Sequence, residues 1–105
     1  MPFRVLIMAH APDADASTHR TEVKTDMIEA HLVLTGSQQE AVEAAGEYHR
    51  EKKLDSILLC PGFTHGEVAK IYDALGGEVA VAVARGDGPS GRISAEALGR
   101  AGFFE

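Results

Sequence analysis

Between positions 10 and 20 lie His10, Asp13, Asp15, His19 and Arg20, two imidazoles, two carboxylates and a guanidinium in one short segment. Imidazole and carboxylate together suit proton transfer or a transition metal, and arginine suits bidentate pairing with a carboxylate or phosphate. The spacing matches no metal motif, and Asp13 and Asp15 beside Pro12 are ordinary turn residues, so no metal is expected. His19 is therefore read as a candidate for proton transfer, with Asp15 and Arg20 as candidate substrate contacts.

A second group is the turn Cys60-Pro61-Gly62-Phe63-Thr64-His65-Gly66, which runs into a helix start. Free N–H groups and the helix dipole suit an anion there. Gly62 permits close backbone approach, and Phe63, Thr64 and Gly66 complete the candidate binding turn. His65 falls in the first helical turn, where the dipole favours a neutral imidazole able to polarise a carbonyl, and it is the second candidate for proton transfer. The turn is neither a P-loop, since no Lys-Ser/Thr follows Gly66, nor the dinucleotide GxGxxG. It is not a phosphatase-type cysteine loop either, because Gly66 occupies the position six after Cys60 where arginine is needed. Cys60 itself ends an apolar run and reads as a small core residue rather than a nucleophile. Arg85 and Asp87 form a third group, as substrate contacts or as an ion pair. His31 and His49 are assigned no role.

These groups need a scaffold that gathers them. Residues 3–9 (FRVLIMA), 28–35 (IEAHLVLT), 55–60 (DSILLC) and 78–85 (EVAVAVAR) read as strands, the first as a central strand covered on both faces. Residues 11–26 are polar, with a possible short helix after Asp15. Ser37 with Glu40, and Thr64 with Glu67, are capping-box pairs, the first opening a helix over 38–53 and the second the helix read from the segment EVAKIYDALGG. Their apolar stripes are Ala41, Ala44, Ala45 and Tyr48 in the first, and Val68, Ile71, Tyr72 and Leu75 in the second. Gly76 and Gly77 stop the second helix. The residues from Pro89 on form a glycine-rich tail with a helix over 94–100.

Strands alternating with crossover helices predict an α/β fold: one domain over residues 1–105, a parallel sheet of about four strands with helices on both faces, flavodoxin-like or Rossmann-like. The expected strand order is 2-1-3-4. In such a sheet the carboxyl ends of the strands share one edge, and ligands bind where strand order reverses. That rule places His10–Arg20, Cys60–Gly66 and Arg85–Gly88 on one rim.

The chain has 105 residues, 16 acidic against 10 basic, and a net charge of −6. That balance argues against a nucleic-acid partner, which calls for a basic face. One cysteine permits no intrachain disulfide and fits a reducing compartment. The apolar run Val5–Ala9 is too short for a signal-sequence core or a membrane span, so a cytoplasmic location without membrane contact is expected.

The chain resembles a family of small α/β proteins classed as domain of unknown function 6506. The resemblance rests on Ala11-Pro12 with Asp15 and His19-Arg20, on Glu40-Ala41-Val42, and on Leu59-Cys60 through Gly62-Phe63 and His65 to Val68-Ala69-Lys70-Ile71. It extends to Val83–Asp87. Where members read Cys-Gly-Gly-Phe this chain reads Cys-Pro-Gly-Phe, and its tail departs from the pattern. The resemblance implies a fold and a set of positions, and no activity.

Two classes of function follow from the residues. One is a binding protein or small enzyme for an anionic metabolite, carboxylate or phosphate, held at the carboxyl edge without a cofactor. The other is a non-catalytic interaction module or homo-oligomer subunit, suggested by open sheet edges and by Phe103 and Phe104. A receiver-like domain is disfavoured, since Cys60 stands where a phosphate-accepting aspartate is needed.

Overall fold

The apolar run near the start becomes β1 (Phe3–His10), the middle strand of the sheet in a computed structural model that describes residues 1–60, 63–84 and 88–104. Parallel partners flank it: β3 (Ile28–Thr35) on one side, with Leu6 opposite His31, and β4 (Ser56–Leu59) on the other, with Leu6 opposite Ile57. Beyond β4 lies β5 (Ala80–Val83), also parallel. The order predicted for these four strands is therefore the one observed. A fifth, β2 (Arg20–Lys24), is added antiparallel on the outer edge of β3, so the sheet runs β2-β3-β1-β4-β5.

Strand β2 replaces the helix expected after Asp15. The Asp15 carboxylate accepts from the N–H and hydroxyl of Ser17, at 2.9 and 2.7 Å, and its carbonyl accepts from the N–H groups of Thr18 and His19. This turn reverses the chain into β2, and Thr25 closes the hairpin to β3 by accepting from the N–H groups of Met27 and Ile28.

Helix α1 (Gln38–Lys52) starts at Ser37, whose hydroxyl accepts from Glu40 N–H at 3.1 Å. Glu40 does not return the bond as a capping box requires. Its Oε1 takes the N–H groups of Gly36 (2.7 Å) and Ala16 (3.2 Å), tying the segment after β1 to the start of α1. Helix α2 (His65–Ala74) has the complete box between Thr64 and Glu67. It ends at Gly76 and Gly77, both in the left-handed region. Helix α3 (Gly88–Arg100) begins earlier than its sequence suggests, because glycine near its start weakens the helical signal by about 1 kcal/mol per residue. No helix among the described residues is long and apolar enough to cross a membrane.

The connections decide which face is covered. Both β3–α1–β4 and β4–α2–β5 step the same way along the sheet, so right-handed crossovers put α1 and α2 on one face. There Leu6, Met8, Val33, Ile57 and Leu59 are wholly or almost wholly buried against Ala41, Ala44, Ala45, Tyr48 and Ile71. The step that goes the other way, β1 to β3, is made through strand β2 and carries no helix. Among the described residues, only α3 approaches the opposite face, beside the carboxyl ends of β1 and β4.

Candidate functional site

Strand order reverses between β1 and β4, because the chain leaves β1 toward β3 and then crosses back to β4. In an open parallel sheet this opens a crevice at the carboxyl ends of the two strands. A cavity of about 600 Å³ lies there. The strands give it Ala9, His10 and Cys60, α3 gives Ser94, Ala97 and Leu98, and the turn after α3 gives Phe103 and Phe104. That turn depends on Gly102 at φ 90°, with Phe103 N–H bonded to Leu98 O at 3.1 Å. It reverses the chain and brings both phenylalanines back to the cavity. Apolar walls with a few polar groups, at this volume, are the usual make-up of a small-molecule site.

His10 also lines a second, smaller cavity of about 80 Å³, with Ser37 and Gln38 at the start of α1 and Phe63 and Glu67 at the start of α2. Its register partner in β3 is Thr35, which is fully buried. Neither Thr35 Oγ1 nor Gln38 Oε1 has a hydrogen-bond partner among the described residues. Gln38 spends its amide nitrogen on Glu67 O at 3.4 Å. Buried polar atoms left unpaired cost about 1–3 kcal/mol each, and such exceptions concentrate where a ligand or ordered water completes the set.

The residues singled out from the sequence fall in three places. Asp15, His19 and Arg20 are committed to their own loop and to α1. His19 Nδ1 accepts from Asp15 N–H at 2.9 Å. The hydroxyl and then the N–H of Ser17 hold the Asp15 carboxyl below its ordinary pKa. Arg20 donates from Nε to Ala16 O at 2.7 Å and stacks its guanidinium 5.1 Å above the Tyr48 ring. It lines a cleft with Asp15, Glu40, Glu43 and Glu47, an acidic setting that repels an anion. At the start of α2, Phe63 is buried in the core, while Thr64, His65 and Gly66 are exposed. Glu67 already places a carboxylate in that first turn and occupies Thr64 N–H at 2.8 Å, which disfavours a further anion there. Gly62, Arg85 and Asp87 lie outside the described residues. The cavities thus do not bring Asp15, His19 and Arg20 together with Thr64, His65 and Gly66.

His10 lines both cavities, which none of the other candidate histidines does. It ends the central strand at the reversal point, a signal available from strand order alone.

A separate polar cluster lies beneath α1. The ring of His31, 2% exposed, faces Glu29 Oε2 at 2.7 Å through Nε2 and Glu22 Oε2 at 3.3 Å through Nδ1. Arg4 reaches Glu29 Oε1 at 3.6 Å, and the Tyr48 ring sits 5.2 Å from that of His31. The bond from His31 holds the Glu29 carboxyl below the ordinary range, aided by Lys24 and Arg4 against the opposing effect of burial. Burial pushes the Tyr48 phenol up. His31, Glu22, Glu29 and Arg4 pair with one another and Tyr48 packs its ring on His31, so the geometry is that of a structural tie between β1, β2, β3 and α1. Among the described residues, no group of three or more His, Cys, Asp or Glu side chains is arranged to hold a metal ion.

Residues 3–98 match a family described as Family of unknown function (DUF6506), and the chain belongs to that family. No curated protein and no solved structure matches it.

Proposed function

We propose that this member of the DUF6506 family binds a small metabolite at the carboxyl edge of its sheet, in the cavity between β1, β4 and α3. The observation that carries the reading is the coincidence of that cavity with the point of strand-order reversal. The lining supports one ligand class. Ala97, Leu98, Phe103 and Phe104 favour an apolar body, aliphatic or aromatic, and His10 and Ser94 favour a polar or carboxylate head. The unpaired Thr35 and Gln38 oxygens near the same histidine support a polar group on that side.

This keeps the anionic metabolite expected from the sequence but changes its contacts. His10 takes the place given to Arg20 and His65, whose surroundings are acidic or exposed. His10 and Cys60 are the side chains placed to carry chemistry on a bound molecule, and binding itself requires neither to react.

A thermal-shift series tests the reading. Octanoate and phenylacetate combine a carboxylate with an apolar body; acetate and inorganic phosphate lack that body. At a hundredfold excess over Kd a ligand adds about 2.7 kcal/mol, which raises Tm by roughly 10 °C or more in a chain of this size. The first two probes raise Tm and the last two do not, and Leu98→Trp, which fills the cavity, removes the effect. Equal shifts with phosphate, or an undiminished shift in the tryptophan variant, contradict the proposal.

A further inference from the structure

Among the described residues, the strand positions on the sheet face turned away from α1 and α2 carry no charge, are mostly apolar, and are approached only by α3 at the carboxyl ends of β1 and β4. Register and alternation place Phe3, Val5, Ile7, Ile28, Leu32 and Leu58 on it, and no described strand residue of this face is buried. Phe3 is 50% exposed, and Ile28 and Leu32 are 39% exposed each. On the opposite face the positions in β1, β3 and β4 that pack under the helices are almost all buried. Charge divides the same way. All the Asp, Glu, Lys and Arg residues of the described strands, namely Arg4, Arg20, Glu22, Lys24 and Glu29, alternate onto the helix-covered face. Helix α3 stands at the carboxyl ends of β1 and β4 and leaves Phe3, Ile28 and Leu32 exposed.

Parallel strands are found with both faces covered. We infer that a second copy of this chain covers this one, sheet against sheet, about a two-fold axis. Three observations select that occupant. Five strands about 4.8 Å apart and about six residues long span roughly 500 Å² in projection, over half of the roughly 800 Å² per partner of a standard interface before side-chain relief is counted. Exposed Met1, two residues before Phe3, extends the apolar surface at the amino end of β1. A chain of net charge −6 can meet its own copy here without opposing like charges, because the described strand positions of the face carry none. An anionic lipid surface is disfavoured by the same net charge, and a charged protein partner finds no charge to pair with. Ala9 and Cys60 alternate onto this face as well, so the partner's approach also walls one side of the cavity at the carboxyl edge.

Sedimentation velocity of the full chain tests the inference. The wild type runs at twice the 11.2 kDa chain mass. Leu32→Lys and Val23→Lys, at positions already exposed in one copy, fall to the single-chain mass with unchanged far-ultraviolet circular dichroism. Tyr72→Lys, exposed on α2, stays at the double mass. Carbene footprinting of the wild type gives the same information without a variant: labelling of Phe3, Ile28 and Leu32 rises several-fold on dilution through the dissociation range. A wild type at the single-chain mass at 100 µM overturns the inference. So does a double-mass species whose labelling at these three residues does not change on dilution, or one that both lysine variants leave intact.

Discussion

His10 and Thr35 are register partners at the carboxyl ends of β1 and β3; His10 lines both cavities at the reversal of strand order, and Thr35 buries a hydroxyl that has no hydrogen-bond partner among the described residues. An unpaired buried group in the free protein is a cost that a ligand can recover, directly or through water.

Thr35→Val conserves volume and removes the unpaired oxygen. Stability of the free protein is expected to rise by about 1 kcal/mol, the lower end of the penalty for such a group. Urea unfolding measures it through the midpoint at constant m-value. A loss of 1 kcal/mol or more would mean that the hydroxyl is already satisfied.

Glu29 makes stability depend on pH. Its folded pKa lies below the unfolded one, so its contribution is complete above the ordinary carboxylate value of about 4.3 and is lost as pH falls through the depressed folded value. Glu29→Gln removes that dependence. The gap between wild type and variant in urea midpoint should therefore narrow from pH 6 to pH 3. Parallel profiles over this range would show that the His31–Glu29 bond does not set the Glu29 pKa.

Gly77 sits at φ 71°, and a methyl group placed on it would come within 3.2 Å of the Tyr72 hydroxyl. Conformation and crowding act together, so Gly77→Ala should lower stability by about 1–2 kcal/mol. Gly76, at φ 70° with open space around it, isolates the conformational part. Equal losses at the two positions in thermal melts would remove the role given to Tyr72.

The sequence carried the order of the four parallel strands and both capped helices, because continuous apolar runs and Ser/Thr-x-x-Glu starts are local signals. Strand β2 left no such trace. Its residues Arg-Thr-Glu-Val-Lys include one apolar side chain and are all exposed, so only pairing with β3 makes them a strand. The setting of Arg20 is illegible for a similar reason: its position is set by Tyr48 on α1 and by its own loop, neither of which spacing reveals. Glu40 gave the right helix start through only half of the expected box, its carboxylate being drawn to Gly36 and Ala16. Helices were expected on both faces, and they are there, but very unequally. The imbalance follows from two crossovers stepping the same way, a property of topology and not of composition.

The most direct measurement is a titration of ¹⁵N-labelled full chain with octanoate, followed by amide chemical shifts. Saturable changes are predicted at Ala9, His10, Ser94, Ala97, Leu98 and Phe103, with a single dissociation constant and with loss of the response in Leu98→Trp. Changes confined to the Asp15–Arg20 loop, or no saturable change up to millimolar octanoate, would contradict the assignment of the binding site to the cavity between β1, β4 and α3.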